Sequence, residues 1–205
     1  YFPVPFTETW TLHLRTELGY GDGYGDTNEL PFYENFFAGG FGSVRGYESN
    51  TLGPRSTPAE DYERSQAVTA LNEDNTAAEV SDEFGYIAVN ESLVSNQIDN
   101  DTDPFGGNVL MEGSIELLFP LPFVKDQRQL RSGFFIDVGN VFDTSCGDTQ
   151  RNCHDVDFSE LRYSTGVGLT WYTGFGPMSF SLAKPLNSGE FDDEEIFQFT
   201  LGRGF

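Results

Sequence analysis

Leu161-Arg-Tyr-Ser-Thr-Gly-Val-Gly-Leu-Thr-Trp-Tyr172 decides the fold. Leu161, Tyr163, Val167, Leu169 and Trp171 fall on one side of an extended chain, and Arg162, Ser164, Gly166, Gly168 and Thr170 on the other. A period of two sustained over that length means a β-strand with one apolar and one polar face. The pattern recurs along the chain. Residues 8–20 set Trp10, Leu12, Leu14, Leu18 and Tyr20 against Thr9, Thr11, His13, Arg15 and Glu17. Residues 107–120 set Val109, Met111, Ile115, Leu117 and Phe119 against Asn108, Glu112, Ser114 and Glu116. In 130–142, Phe134, Ile136 and Val138 oppose Arg131 and Asp137; in 176–186, Met178, Phe180 and Leu182 oppose Ser179, Ser181 and Ala183. In 194–205, Phe197, Phe199, Leu201 and Phe205 alternate with Gln198, Thr200, Gly202 and Gly204, which completes six strands.

Soluble β-sandwiches also alternate, so the choice of architecture rests on length and connection. These segments run about 11 to 14 residues, long beside the 5 or 6 usual in soluble sheets. Connections alternate between short (123–129, 173–175) and long (33–106, 143–160, 187–193). Transmembrane barrels have that asymmetry, with short periplasmic turns and longer outer loops. The expectation is an all-β, antiparallel transmembrane barrel whose chain end lies on the periplasmic side. Six strands do not close one, since the smallest barrels have about eight, and an open edge in lipid leaves backbone groups unsatisfied. Further strands are therefore expected upstream. The opening Tyr1-Phe2-Pro3, with neither Met nor signal peptide, reads as a mature or truncated piece.

Composition agrees. No stretch approaches the roughly 18 to 20 apolar residues of a transmembrane helix. Aromatics make up 15%, with 20 Phe, 9 Tyr and 23 Gly, a mix suited to twisted strands, tight turns and interfacial girdles. The net charge of −22 makes nucleic acid and anionic surfaces poor partners. Half of it comes from 33–106, where 14 Asp or Glu face 3 Arg, a solvated run expected on the cell surface. Cys146 and Cys153 sit in Ser-Cys-Gly-Asp-Thr-Gln-Arg-Asn-Cys-His-Asp, with too few ligands for a metal site; a small disulfide-closed loop in an oxidising compartment is the better reading.

The stretch Leu30-Pro-Phe-Tyr-Glu-Asn-Phe-Phe-Ala-Gly-Gly-Phe-Gly-Ser-Val-Arg-Gly-Tyr-Glu-Ser-Asn-Thr-Leu-Gly-Pro54 narrows the family. It resembles the inward-folding loop of the outer-membrane assembly family, which includes BamA, TamA and the two-partner secretion transporters. The family's Val-Arg-Gly-aromatic tetrad stands here as Val44, Arg45, Gly46 and Tyr47, and the run from Pro31 to Pro54 looks more like the BamA type than the TamA type. The similarity continues through Phe134-Phe-Ile-Asp-Val-Gly-Asn-Val-Phe142 to the aromatic C-terminus, leaving out 56–103 and the cysteine loop.

That resemblance implies about six C-terminal strands of a barrel of about 16, with POTRA domains upstream. It implies that Arg45 reaches into the barrel toward Glu116 and Asp137, which the alternation independently puts on the polar face. It implies a terminal strand, 196–205, forming one side of a seam, with Phe197, Phe199, Leu201 and Phe205 resembling the C-terminal signal of barrel proteins; Arg203 departs from that pattern. The implied function is assembly and insertion of barrel proteins in the Gram-negative outer membrane, without catalysis or cofactor. Unfolded barrel precursors, membrane lipid and accessory lipoproteins would be the partners. A TamA-like or two-partner secretion protein, and a plain porin, are the alternatives.

Other signals are weaker. Asp99-Asn-Asp-Thr-Asp103 begins like a calcium loop, but Pro104 stands where the turn glycine belongs and Leu110 where the bidentate Glu belongs. An exposed acidic loop is the plainer reading. Gly19–Gly25 lacks the following helix that phosphate loops require. The histidines, His13 and His154, belong to no local catalytic motif.

Overall fold

The computed structural model describes residues 1–5, 7, 9–25, 27, 29–57, 102–121, 124, 129–147 and 150–202. Nine strands follow in order: β1 (Phe2–Pro3), β2 (Thr11–Tyr20), β3 (Gly46–Tyr47), β4 (Val109–Phe119), β5 (Leu130–Phe142), β6 (Arg162–Thr173), β7 (Gly176–Pro185), β8 (Glu194–Glu195) and β9 (Phe197–Leu201). Seven form one antiparallel meander, β1-β2-β4-β5-β6-β7-β9, open at both edges; β3 and β8 pair as a separate ribbon.

Burial in this sheet is inverted relative to a soluble protein. One rung runs outward across six strands as Leu12, Leu117, Phe134, Val167, Leu182 and Phe197. Of these, Phe134, Val167, Leu182 and Phe197 are 41–55% exposed, whereas the polar Asp137, Ser164, Thr170 and Ser179 on the opposite face are fully buried. Exposed large apolar side chains over buried polar ones fit a wall standing in lipid. Aromatic rings gather where the short turns lie: Trp10 meets Phe119 at 5.6 Å, and Phe119 stacks on Phe134 at 4.9 Å.

The polar face is covered by the chain's own loop. Ala38, Val44, Tyr47 and Leu52 of that loop form a core with Leu110 and Val141 of the wall, and Phe36 packs against it.

The six strands expected from alternation are present, with two differences at the ends. The first begins at Thr11, and the chain before it turns back so that Phe2 and Pro3 pair with Leu12 and Thr11. Two residues are too few to show alternation, so this short edge strand was not legible. The last strand is interrupted. Ile196 breaks it, β9 pairs with β7 only from Phe197 to Leu201, and Glu194 and Glu195 pair instead with Tyr47 and Gly46. Alternation continues through 194–205, but a period of two does not say which partner a strand takes.

Candidate functional site

Two adjacent inward rungs build the site. The first joins His13, Glu116, Phe135, Gly166 and Ala183; the second joins Arg15, Ser114, Asp137, Ser164 and Pro185. Both lie on the polar face because each strand alternates. Register then sets Glu116 and Asp137 on neighbouring strands one rung apart, close enough for one guanidinium to reach both.

Arg45 does so. Its Nε donates to Asp137 Oδ2 at 2.7 Å and its Nη2 to Asp137 Oδ1 at 2.8 Å. Nη2 also lies 2.8 Å from Glu116 Oε1 and 3.1 Å from Ser114 Oγ. The Arg45 backbone N–H donates to Asp137 Oδ2 at 3.1 Å, and Ser114 Oγ donates to Oδ1 at 2.6 Å. The guanidinium carbon sits 3.6 Å from the centroid of the Phe135 ring. Arg45 is 3% exposed, Glu116 5% and Asp137 0%. Only arginine offers a planar fork that can grip one carboxylate with two donors, reach a second and lie flat on a ring.

The rest of the tetrad continues across the wall. Val44 is fully buried. Gly46 has φ +94°, and a Cβ there would stand 3.1 Å from Ala183 Cβ, so glycine lets the loop lie against β7. Tyr47 Oη donates to Asn187 O at 2.8 Å.

Several partners escaped sequence reading. His13 Nδ1 lies 2.9 Å from Glu116 Oε2, and the Tyr1 ring stacks on its imidazole at 4.2 Å. Arg15 donates to Gly42 O and Ser43 O at 2.6 and 3.3 Å, while Ser43 Oγ hydrogen-bonds Glu112. Gln198 accepts from Gly46 N and donates to Tyr47 O. All four of these wall residues share the polar face with Glu116 and Asp137, which is the signal that was available. Phe135 had the same parity, but an aromatic ring on a polar face gave no hint of its role. His13→Leu should remove one hydrogen bond to a charged group and lower stability by roughly 1.5 to 3 kcal/mol. The check is the temperature at which the folded band is lost in gel electrophoresis; an unchanged temperature would mean that Arg45 alone satisfies Glu116.

The other sequence-selected residues lie elsewhere. Phe197, Phe199 and Leu201 point away from the loop on the exposed face, with Phe199 5.0 Å from Phe180. Phe205 and most of the Asp99–Asp103 segment lie outside the described residues. Cys146 and Cys153 are joined in a disulfide. Its loop touches the tetrad loop's returning leg: Asn152 Nδ2 donates to Gly53 O at 2.8 Å, and Arg55 N to Arg151 O at 2.9 Å.

The chain resembles known proteins along its whole length. The chain is 37% identical over 217 aligned residues to the outer membrane protein assembly factor BamA of Neisseria meningitidis serogroup B, covering 98% of this chain and 22% of that protein. It is 33% identical to BamA of Neorickettsia risticii over 48% of this chain and 13% of that one. The crystal structure of BamA from Haemophilus ducreyi lacking POTRA domains 1–3 superposes with a TM-score of 0.66 at 27% identity, covering 97% of this chain and 32% of that one. The chain thus spans about a fifth to a third of the relatives it matches along its length. The open antiparallel sheet is a fragment of a barrel wall of that kind. The Omp85 superfamily domain matches residues 1–205, and the chain belongs to that superfamily.

Proposed function

We propose that this chain is the C-terminal portion of the barrel of an assembly factor that folds and inserts β-barrel proteins into the Gram-negative outer membrane. The observation that carries the reading is 37% identity to an outer membrane protein assembly factor along 98% of the chain. The action is non-enzymatic. Its partners are unfolded barrel precursors, membrane lipid and the accessory lipoproteins of an assembly complex; nucleic acid is not among them. The remaining wall strands and the POTRA domains belong to the rest of the polypeptide, and 33–106 is an extracellular loop.

In this reading Arg45, Glu116 and Asp137 lock the loop inside the barrel, with Val44, Gly46 and Tyr47 seating it. The terminal strand offers its edge as one side of a seam, where a client strand adds through backbone hydrogen bonds. The open edge at β9 supports that use. Phe197, Phe199 and Leu201 hold that strand in the lipid-facing layer.

The test places the full-length parent in lipid vesicles and follows the folding rate of an unfolded, unrelated barrel protein. Acceleration of several unrelated clients is expected. Acceleration of one class only would make it a dedicated translocation protein of the same superfamily, and none at all from a correctly folded parent would leave a simple pore.

A further inference from the structure

The tetrad loop holds more than the middle of the wall. Beyond Arg45, its next residues turn to the terminal strand. Gly46 and Tyr47 pair along their backbones with Glu195 and Glu194, and Glu48 N donates to Asp193 O at 2.8 Å. The strand that by its alternation should run along β7 from residue 194 is instead drawn inward for its first two residues. It joins the wall at Ile196, whose carbonyl accepts from Ala183 N at 2.9 Å, and pairs with β7 from Phe197 onward.

Gln198 sits at this junction. It is 3% exposed and lies opposite Ser181 of β7. Its Nε2 donates to Tyr47 O at 2.7 Å and to Glu195 Oε2 at 3.2 Å, and its Oε1 accepts from Gly46 N at 3.4 Å. One amide thus satisfies a donor and an acceptor of the loop backbone at the point where the strand changes partner. A carboxylate of the same shape has no donor for the Tyr47 carbonyl, and a thioether has neither function.

We propose that Gln198 is a positioning residue that ties the tetrad loop to the terminal strand, so that the loop determines how much of that strand is held in the wall and how much is drawn inside. The Arg45 cluster anchors the loop on β4 and β5, and Gln198 passes that anchorage to β9. The consequence for client pairing at the seam rests on the assembly reading above; the structural link does not.

The experiment compares Gln198→Met and Gln198→Glu with wild type in the full-length parent, in lipid vesicles. Amide hydrogen exchange is followed over residues 191–201 and, as an internal control, over β5. Loss of the buried hydrogen bond to the Tyr47 carbonyl, and in the Met variant of the one from Gly46 N as well, should speed exchange in 191–201 by roughly tenfold or more while β5 stays unchanged. Both variants should show it, the isosteric Glu at least as strongly as Met, because its carboxylate faces the Tyr47 carbonyl and Glu195. A space-filling role would leave the Glu variant like wild type, and that result overturns the proposal. So does a Met variant that behaves like wild type, which would reduce the Glu effect to a misplaced charge. Exchange that rises equally in β5 would mean a general loss of stability and would also overturn it. The client-folding rate, measured beside it, should fall in both variants. If wild type accelerates no client while the exchange pattern is as expected, the assembly reading fails and the link between loop and strand remains.

Discussion

Replacing Arg45 with alanine should destabilise the barrel by roughly 3 to 5 kcal/mol, the usual effect of removing one partner from a buried ionic cluster. The reason is what remains. Asp137, fully buried, keeps the Arg45 backbone N–H and Ser114 as donors, and Glu116 keeps His13. Two carboxylates one rung apart would then face each other without the guanidinium between them, in a place where water is scarce. The ring of Phe135 would lose its cation as well. The loss should lower the temperature at which the folded form survives in detergent, read as the disappearance of the folded band in gel electrophoresis. Arg45→Lys should recover only part of it, because an ammonium keeps the charge but cannot grip Asp137 with two donors and also reach Glu116. Combined with Asp137→Asn, the two changes should be strongly non-additive, as expected of groups in one network. Additive effects, or an unchanged melting temperature in Arg45→Ala, would mean that the loop is held by its apolar contacts and that the arginine is incidental.

How much of this site could be read from sequence follows from what alternation encodes. A period of two gives the side of the wall, and it put Glu116 and Asp137 on the inner face with no knowledge of pairing. Register is a different kind of information, because it depends on how two distant strands slide against each other. Residues 13 and 116 are far apart in the chain, and nothing local in Thr-Leu-His-Leu-Arg says that His13 will stand opposite Glu116. The tetrad contacts of Arg45 came from resemblance, and the geometry supplies what resemblance left out: the ring beneath the guanidinium and the amide of Gln198. The inward turn of 194–195 was hidden for the same reason. An apolar-polar rhythm marks a strand as extended and two-faced, whether its hydrogen bonds go to a wall neighbour or to a loop folded inside. The cysteine pair was legible because its spacing is short and its surroundings polar, whereas the contact of its loop with Gly53 and Arg55 joins two loops that are distant in the chain.

Gly166→Ala should be nearly as damaging as the loss of Arg45, although it removes no interaction. Gly166 lies on the same rung as Glu116 and Phe135, between Phe135 and Ala183. A methyl group there would press on the Leu182 carbonyl oxygen and stand 2.6 Å from Phe135 Cζ and 2.8 Å from Ala183 Cα. Two of those neighbours are backbone atoms of β7, which is tied to β6 along its whole length and has little freedom to retreat. The remaining route is for the Phe135 ring to tilt, and that ring is the surface on which the Arg45 guanidinium lies. Overpacking of this kind costs about 1 to 3 kcal/mol, occasionally more, and with rigid backbone on one side and a charged cluster on the other the upper end is expected. The effect should therefore reach Arg45 from across the sheet. Phe135→Leu, which shortens the obstructing ring, should restore part of the stability lost in Gly166→Ala even though it lowers stability by itself. A melting temperature in Gly166→Ala within a degree or two of wild type, or a double variant no better than the sum of its parts, would show that the ring can move without cost and that the close approach of Gly166 to Phe135 does nothing to seat the arginine.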